Sequence, residues 1–182
     1  MNIKETYKND YNIFLGGSAF VGKTTYFNSY LKIKFDIYPY CSKEIDYKLI
    51  KKLNKNYLYL YDSVRWSRIN NIGLKHYLKK ADGVILMFDL SKNKDFDELP
   101  QLLNIITEFY ELENIPFLLI GNKSDLDIEV DENEIEKFLD KENFVGYFEV
   151  SSKTNKNVDE SVDFMVNYVH KKDKKYLYEY YI

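Results

Sequence analysis

The sequence predicts a three-layer α/β fold: a mostly parallel six-stranded sheet with one antiparallel edge strand and helices on both faces. Short apolar runs alternate with amphipathic stretches along the whole chain, a pattern typical of buried parallel strands joined by helices. Two neighbouring strand-like runs have only residues 54–56 between them, which is too short for a helical crossover. That pair predicts a hairpin, and the hairpin adds the antiparallel strand.

The elements follow one another in a regular order. The runs that predict strands are YNIFLGG, IDYKLIKKL, YLYLYD, GVILMFDL, PFLLIGN and GYFEV. Helical periodicity follows in VGKTTYFNSYLKI, INNIGLKHYLKKA, FDELPQLLNIITEFYEL, ENEIEKFLDKE and VDESVDFMVNYVHKK. There is no internal repeat or flexible linker. We therefore expect a single domain over residues 1–182, with a core at about 11–171 and a C-terminal helical tail at 172–182.

Composition excludes several classes of protein. The net charge is -3 and charges of both signs are interspersed, so no basic face predicts binding to nucleic acid. The single cysteine, Cys41, excludes an internal disulfide and fits a reducing compartment. The N-terminus is polar, and the longest apolar run, GVILMF, is too short to cross a bilayer. These features predict a soluble, cytoplasmic protein. We also expect it to be a monomer.

The first strand runs into GGSAFVGKTT, which fits the pattern GxxxxGK[ST] at Gly17, Gly22, Lys23 and Thr24. Glycines in this context let successive N–H groups point at phosphate oxygens. Lys23 can supply a positive charge to the terminal phosphates, and the Thr24 hydroxyl can ligate Mg²⁺. The segment predicts the phosphate loop of a P-loop NTPase fold. The remaining candidate nucleotide contacts in it are Ala19, Phe20, Val21 and Thr25.

A second motif, GNKSD at residues 121–125, follows the apolar strand PFLLI. It therefore lies at the carboxyl edge of the sheet, where ligands of such folds bind. Asp125 can accept hydrogen bonds from N1–H and the 2-amino group of guanine, whereas adenine offers neither donor. Alone, Asn122, Lys123 and Asp125 would indicate only a polar turn. After a phosphate loop they predict a guanine site.

These motifs make the chain resemble a small GTPase of the Ras superfamily, over about residues 11–171. Within it, IDYK, ADGVILMFDLSKNKDF and SSKTNKNVDE resemble the Rab branch. The resemblance implies GTP or GDP as ligand and Mg²⁺ as cofactor. It also implies a third base-binding segment, Ser151 to Lys153, in which the Ser152 N–H meets guanine O6 and the Lys153 stem flanks the base. Effectors and exchange factors would bind at residues 42–47 and 63–75.

Two further residues take metal-binding roles from the resemblance. Counting back from the strand IDYK places Ser42 where the family has its switch I threonine, and serine keeps the hydroxyl that would ligate Mg²⁺. Asp62, at the end of YLYLYD, matches the aspartate that holds Mg²⁺ through water or the Thr24 hydroxyl. Lys43 departs from the pattern, because the family usually has an apolar residue there against which effectors pack.

The hydrolytic region departs further. Arg65 replaces the glycine whose N–H binds the γ-phosphate, and Trp66 replaces the glutamine that orients the attacking water. An indole donates one hydrogen bond and accepts none, so it cannot position that water. No residue is therefore a confident catalytic candidate, and hydrolysis is expected to be slow or absent. Ala19 and Phe20 add side chains that could crowd out a partner's arginine finger.

Several alternatives stay open. Arg65 could bond the γ-phosphate in cis, pair with a surface carboxylate, or form an exposed recognition patch with Trp66. The protein could accordingly be an active GTPase, or a scaffold that does not switch. Besides the slow switch, the active GTPase and the scaffold, a remote alternative is an ATP-dependent P-loop kinase. The chain ends KKDKKYLYEYYI, without the cysteines that are prenylated in Rab-like proteins. If the sequence is complete, membrane attachment would need a partner.

Overall fold

The structure is a computed structural model that describes residues 10–33, 46–53, 56–62, 79–109 and 115–179. Within these residues there are six strands and five α-helices. The strands are β1 (Asp10–Gly17), β2 (Asp46–Leu53), β3 (Asn56–Asp62), β4 (Gly83–Asp89), β5 (Phe117–Asn122) and β6 (Phe144–Glu149). The helices are α1 (Lys23–Tyr30), α2 (Asn93–Asp97), α3 (Leu99–Asn104), α4 (Glu132–Lys141) and α5 (Val158–Glu179).

The strands form one sheet in the order β2-β3-β1-β4-β5-β6. β2 pairs antiparallel with β3, and every other neighbouring pair is parallel. The predicted α/β class, the hairpin and the single reversed edge strand are therefore confirmed. Because the parallel strands point the same way, the carboxyl ends of β1, β3, β4 and β5 meet at one edge of the sheet, where the two predicted motifs begin.

Alternation along the strands divides the core into two layers. Side chains of Val84, Leu86 and Phe88 enter one cluster, which also contains residues of α2, α3 and α4. Ile85 and Met87, the alternate residues of β4, enter the other cluster with residues of α1 and α5. All five side chains are fully buried. A strand covered on both faces must be apolar at every position, which explains the continuous run GVILMF.

The stretch after β4 forms two helices where the sequence suggested one. α2 ends at Asp97 and α3 begins at Leu99, with Pro100 in the first turn of α3. Proline has no N–H to donate to the preceding turn, so it is tolerated at a helix start and interrupts a helix interior. α3 then continues into a π-helical turn, Ile105–Phe109.

α5 packs one stripe against the sheet. Its buried residues recur at spacings of three and four, as expected for one face of a helix: Val158, Val162, Met165, Val166 and Val169. At its start Ser161 hydrogen-bonds the buried Tyr26 hydroxyl of α1 at 2.7 Å. Farther along, His170 Nδ1 contacts the Tyr11 hydroxyl of β1. The predicted division between core and tail at residue 171 stays a prediction, since α5 passes through it without a break.

None of the helices in the described ranges combines the length and the apolar character needed to span a membrane.

Candidate functional site: a nucleotide cradle at the carboxyl edge

The phosphate loop lies between β1 and α1 and contains three residues with positive φ. Gly17 has φ 141° and Gly22 has φ 99°, while Phe20, a residue with a side chain, has φ 66°. A Cβ on Gly17 would lie 2.3 Å from the Met87 carbonyl oxygen, and one on Gly22 would lie 2.3 Å from Asn122 Nδ2. Both glycines are therefore required by conformation and by space. The structure places them where the motif predicts them.

Lys23 lies across the loop that it follows. Its ammonium donates to the carbonyl oxygens of Gly17, at 3.0 Å, and Ser18, at 2.8 Å, and the residue is only 7% exposed. These bonds fix a positive charge at the mouth of the loop, where the terminal phosphates of a nucleotide would lie. The Ser18 hydroxyl in turn donates to Glu98, between α2 and α3, at 2.7 Å.

Two of the three predicted magnesium ligands meet at the end of β3. The Thr24 hydroxyl donates to Asp62 Oδ2 at 2.5 Å, and Asp62 is 1% exposed. Hydroxyl and carboxylate oxygens suit Mg²⁺, which usually takes few protein ligands and completes its shell with water and phosphate. The described residues contain no group of three or more acidic, histidine or cysteine side chains that could hold a metal alone. The pair therefore fits a magnesium ion shared with a nucleotide.

Asn122 joins the phosphate loop to the two predicted base-binding segments. Its side-chain amide donates to the Val21 carbonyl oxygen at 2.8 Å. Its Oδ1 accepts from the Ser152 N–H at 3.1 Å and from the Ser152 hydroxyl at 2.9 Å. Asn122 and Val21 are fully or almost fully buried. One side chain thus fixes the distance between the phosphate loop and the predicted base-binding segment at Ser152. We call these contacts the Asn122 clamp.

The Asn122 clamp bears on the predicted role of Ser152. The resemblance implies that the Ser152 N–H meets guanine O6, yet in this structure that N–H is bonded to Asn122 Oδ1. A bond to O6 would require the N–H to share its hydrogen between the two oxygens or to exchange one for the other. The role of Ser152 toward guanine stays a prediction.

Asp125, the residue predicted to bind guanine, has a side chain that is 17% exposed. Its Oδ1 accepts from the Ser151 hydroxyl at 2.6 Å, and its Oδ2 is 3.8 Å from the ammonium of Lys153. A carboxylate has about four acceptor positions, so these contacts leave capacity for the two donors on guanine. The predicted residues Ser151, Lys153 and Asp125 are thereby brought into direct contact.

Lys123 has an unexpected partner. With φ 67°, it directs its ammonium to Asp89 Oδ2, at 2.6 Å, at the end of β4. Asp89 is fully buried, and its Oδ1 accepts from the Ser91 N–H and hydroxyl. Burial acts to raise the pKa of the Asp89 carboxyl, but hydrogen bonds from Lys123 and Ser91 outweigh it and hold that pKa below its usual value. The sequence alone gave no role to Asp89.

Two residues with side chains, Ala19 and Phe20, lie within the phosphate loop. Ala19 is half-buried and Phe20 is 61% exposed. Both line a cavity of about 450 Å³, together with Ser18, residues 92–95, Glu98 and Glu129. Thr25 is half-buried at the start of α1. Ser42, Arg65 and Trp66 lie outside the described residues, as do the segment 63–75 and most of residues 42–47, the predicted partner surfaces.

Comparison with known proteins gives a consistent result. The family model described as Ras family matches residues 12–171. Ras-related protein Rab-12 of Mus musculus is 32% identical over 154 residues, covering 81% of this chain and 62% of Rab-12. Ras-related protein Rab-32 of Sus scrofa is 29% identical over 172 residues, covering 89% of this chain and 75% of Rab-32. The chain thus spans less than two thirds of the length of the Rab-12 that it matches.

Proposed function

Because this chain belongs to the Ras family of small GTPases, next to its Rab branch, we propose that it is a Rab-like switch. It binds GTP and GDP with Mg²⁺ and hydrolyses GTP slowly or not at all. The observation that carries nucleotide binding is the Asn122 clamp, because it sets the phosphate loop and both base-binding segments at fixed distances. A ligand with phosphates at one end and a base at the other fits that spacing.

Each part of the candidate site has a role in binding the nucleotide. N–H groups of the phosphate loop and the Lys23 ammonium receive the phosphates. Thr24 and Asp62, together with Ser42, hold Mg²⁺, which when bound neutralises charge on the phosphates. Asp125 selects guanine, because a base without donors would leave its carboxylate desolvated, at a cost of about 1 to 3 kcal/mol.

The proposal of slow hydrolysis rests on the sequence. The family's hydrolysis depends on a glutamine that orients water, and Trp66 stands in its place. Arg65 replaces the neighbouring glycine, whose N–H would bind the γ-phosphate. Ala19 and Phe20 support the proposal, since their side chains line a cavity beside the phosphate loop and would crowd a partner's arginine finger there.

Single-turnover hydrolysis tests this first prediction. Protein in excess over radiolabelled GTP should convert it at least tenfold more slowly than the intrinsic rate of Ras, about 4 × 10⁻⁴ per second. The double variant Arg65→Gly with Trp66→Gln should raise the rate toward that value, since it restores both missing groups. Loss of GTP within minutes in the unchanged protein would contradict slow hydrolysis. If Arg65→Ala then abolished this loss, Arg65 would be the residue that replaces the missing chemistry.

Acid extraction of the purified protein, followed by chromatography, separates the switch from a scaffold. We expect near-stoichiometric GDP or GTP. Protein that carries no guanine nucleotide, and does not take up fluorescent GDP with Mg²⁺, would be a scaffold that keeps only the fold.

The output of the switch would be partner binding. We propose that effectors and exchange factors contact residues 42–47 and 63–75, and that the protein acts as a monomer in vesicle trafficking or signalling. Effectors should bind the protein loaded with a non-hydrolysable GTP analogue at least tenfold more tightly than the protein loaded with GDP.

A further inference from the structure

Lys123 of the GNKSD motif directs its side chain to Asp89 rather than to the Asn122 clamp or to Asp125. Its ammonium lies 2.6 Å from Asp89 Oδ2, and its side chain is 29% exposed. Asp89 has an exposure of 0%. A buried carboxylate and a partly covered ammonium at this distance form a charge-assisted hydrogen bond, which is about twice as strong as a neutral one.

The two oxygens of Asp89 have separate tasks. Oδ1 accepts from the N–H of Ser91, at 3.0 Å, and from its hydroxyl, at 2.7 Å, and so closes the turn after β4. Oδ2 accepts from Lys123, while the ammonium of Lys92, on an exposed side chain, is 3.9 Å away. Closing a turn requires only Oδ1. The position of Oδ2 against Lys123 therefore calls for a separate explanation.

Backbone pairing places the two residues side by side. Asp89 is in register with Asn122 across β4 and β5. The next residue, Lys123, takes a left-handed conformation that costs a residue with a side chain about 1 to 2 kcal/mol. The following N–H, of Ser124, donates to the Val150 carbonyl oxygen at 3.0 Å. The motif is thus bent sharply at Lys123, between the clamp and Asp125.

We propose that Asp89 is a positioning residue for the guanine nucleotide: by anchoring the Lys123 ammonium, it holds the bend that presents Asn122 and Asp125 to the base. The inference rests on the proposed function and adds a residue that the motifs do not contain. Without the anchor, the left-handed residue is held only by its backbone, and the loop samples conformations in which Asp125 leaves the base. The nucleotide then dissociates faster.

The test measures dissociation of fluorescent GDP in excess Mg²⁺. Asp89→Asn should release it about tenfold faster, which corresponds to about 1.4 kcal/mol. Two matched controls should release it at the unchanged rate. Asp82→Asn alters an aspartate just before the opposite end of β4, where Asp82 accepts from the Asn12 N–H at 2.8 Å. Lys92→Gln removes the other lysine near Asp89, whose exposed pairing is worth little.

A second pair of variants separates positioning from a general loss of stability. Lys123→Met should itself release GDP faster, and adding Asp89→Asn to it should change the rate no further, because the anchor is already lost. Lys123→Met alone still tests the anchor if Asp89→Asn folds poorly. An unchanged rate of GDP release in Asp89→Asn would overturn the proposal. So would an acceleration by Asp89→Asn that is the same in the unchanged protein and in Lys123→Met. Unchanged protein that retains no fluorescent GDP would overturn the proposed function as well.

Discussion

At the scale of single residues, the phosphate loop departs from expectation at Phe20. The loop needs positive φ angles at Gly17, Phe20 and Gly22, and only two of these positions have glycine. An L-residue in the left-handed region is destabilised by about 1 to 2 kcal/mol relative to its usual conformations. Phe20 is also 61% exposed, so burial of its ring offsets little of that cost.

Replacing Phe20 should therefore not harm stability. Phe20→Gly removes the strain but adds backbone freedom to the unfolded chain, so we expect the free energy of unfolding to stay unchanged or rise by up to about 1 kcal/mol. The neighbouring variant Ala19→Gly adds the same freedom and relieves no positive φ, so it should lower that free energy by about 0.5 to 1 kcal/mol. Urea unfolding with saturating GDP measures both. Equal losses in the two variants would show that Phe20 is not strained.

Residues of the site were predictable where a local pattern specifies them. Gly17, Gly22, Lys23 and Thr24 follow from spacing within eight positions, and each lies where the motif places it. Contacts that join distant parts of the chain were not predictable. Asp89 reads as the end of an apolar strand, Glu98 as part of an amphipathic helix, and nothing local shows that they bond Lys123 and Ser18. These pairs are created by strand order, which periodicity does not encode.

At the scale of elements, α5 approaches β4 closely at Gly83. A Cβ on Gly83 would lie 2.2 Å from Met165 Cε and 3.3 Å from Ile13 Cδ1. The end of the Met165 side chain thus occupies the volume that any larger residue at position 83 would need. Interiors are close-packed, so even one added methyl group must displace a neighbour.

The Gly83–Met165 contact gives a prediction in which one change rescues another. Gly83→Ala should lower the free energy of unfolding by about 1 kcal/mol, the low end for overpacking, because the atom that must move is the end of the flexible Met165 side chain. Met165→Leu shortens the side chain and should cost less than about 1.5 kcal/mol alone. The double variant should lose clearly less than the sum of the two, because leucine leaves room for the new Cβ. Additive losses by urea unfolding would mean that α5 does not pack on β4 at this point.

The arrangement of strands and helices could be predicted only in part from the sequence. The reversed strand was predictable because the connection of residues 54–56 leaves no room for a crossover. The break between α2 and α3 was not anticipated, although Pro100 is its cause. Apolar residues continue with helical spacing on both sides of that proline, and periodicity alone does not register a missing N–H.

At the scale of the whole molecule, the proposed ligand would join segments from the two ends of the chain. The phosphate loop comes near the start, and the segment with Ser151 and Lys153 comes near the end. A nucleotide that binds both segments binds the folded protein and not the unfolded chain. It therefore stabilises the folded state, by about 2.7 kcal/mol when its concentration is 100 times its dissociation constant. Thermal stability therefore reports binding and its base specificity directly.

Asp125→Asn should exchange one base preference for another. An amide donates one hydrogen bond where the carboxylate accepts, which opposes the 2-amino group of guanine and suits the 2-oxo group of xanthine. GDP should stabilise Asp125→Asn by about 1 to 3 kcal/mol less than it stabilises the unchanged protein. Xanthosine diphosphate should stabilise Asp125→Asn more than it stabilises the unchanged protein. Lys153→Met, which removes the ammonium 3.8 Å from Asp125, should keep the preference for guanine. An unaltered preference in Asp125→Asn would contradict guanine selection by Asp125.

The Asn122 clamp also determines how much of the chain must be synthesised before it can bind a nucleotide. It bonds a carbonyl 101 positions earlier in the chain and an N–H 30 positions later. Domains emerge from the ribosome with their N-terminal parts first, so a nascent chain that ends before Ser152 has a phosphate loop but cannot close the clamp. Capture of a nucleotide would then require synthesis to have passed Ser152, and shorter nascent chains would stay without ligand.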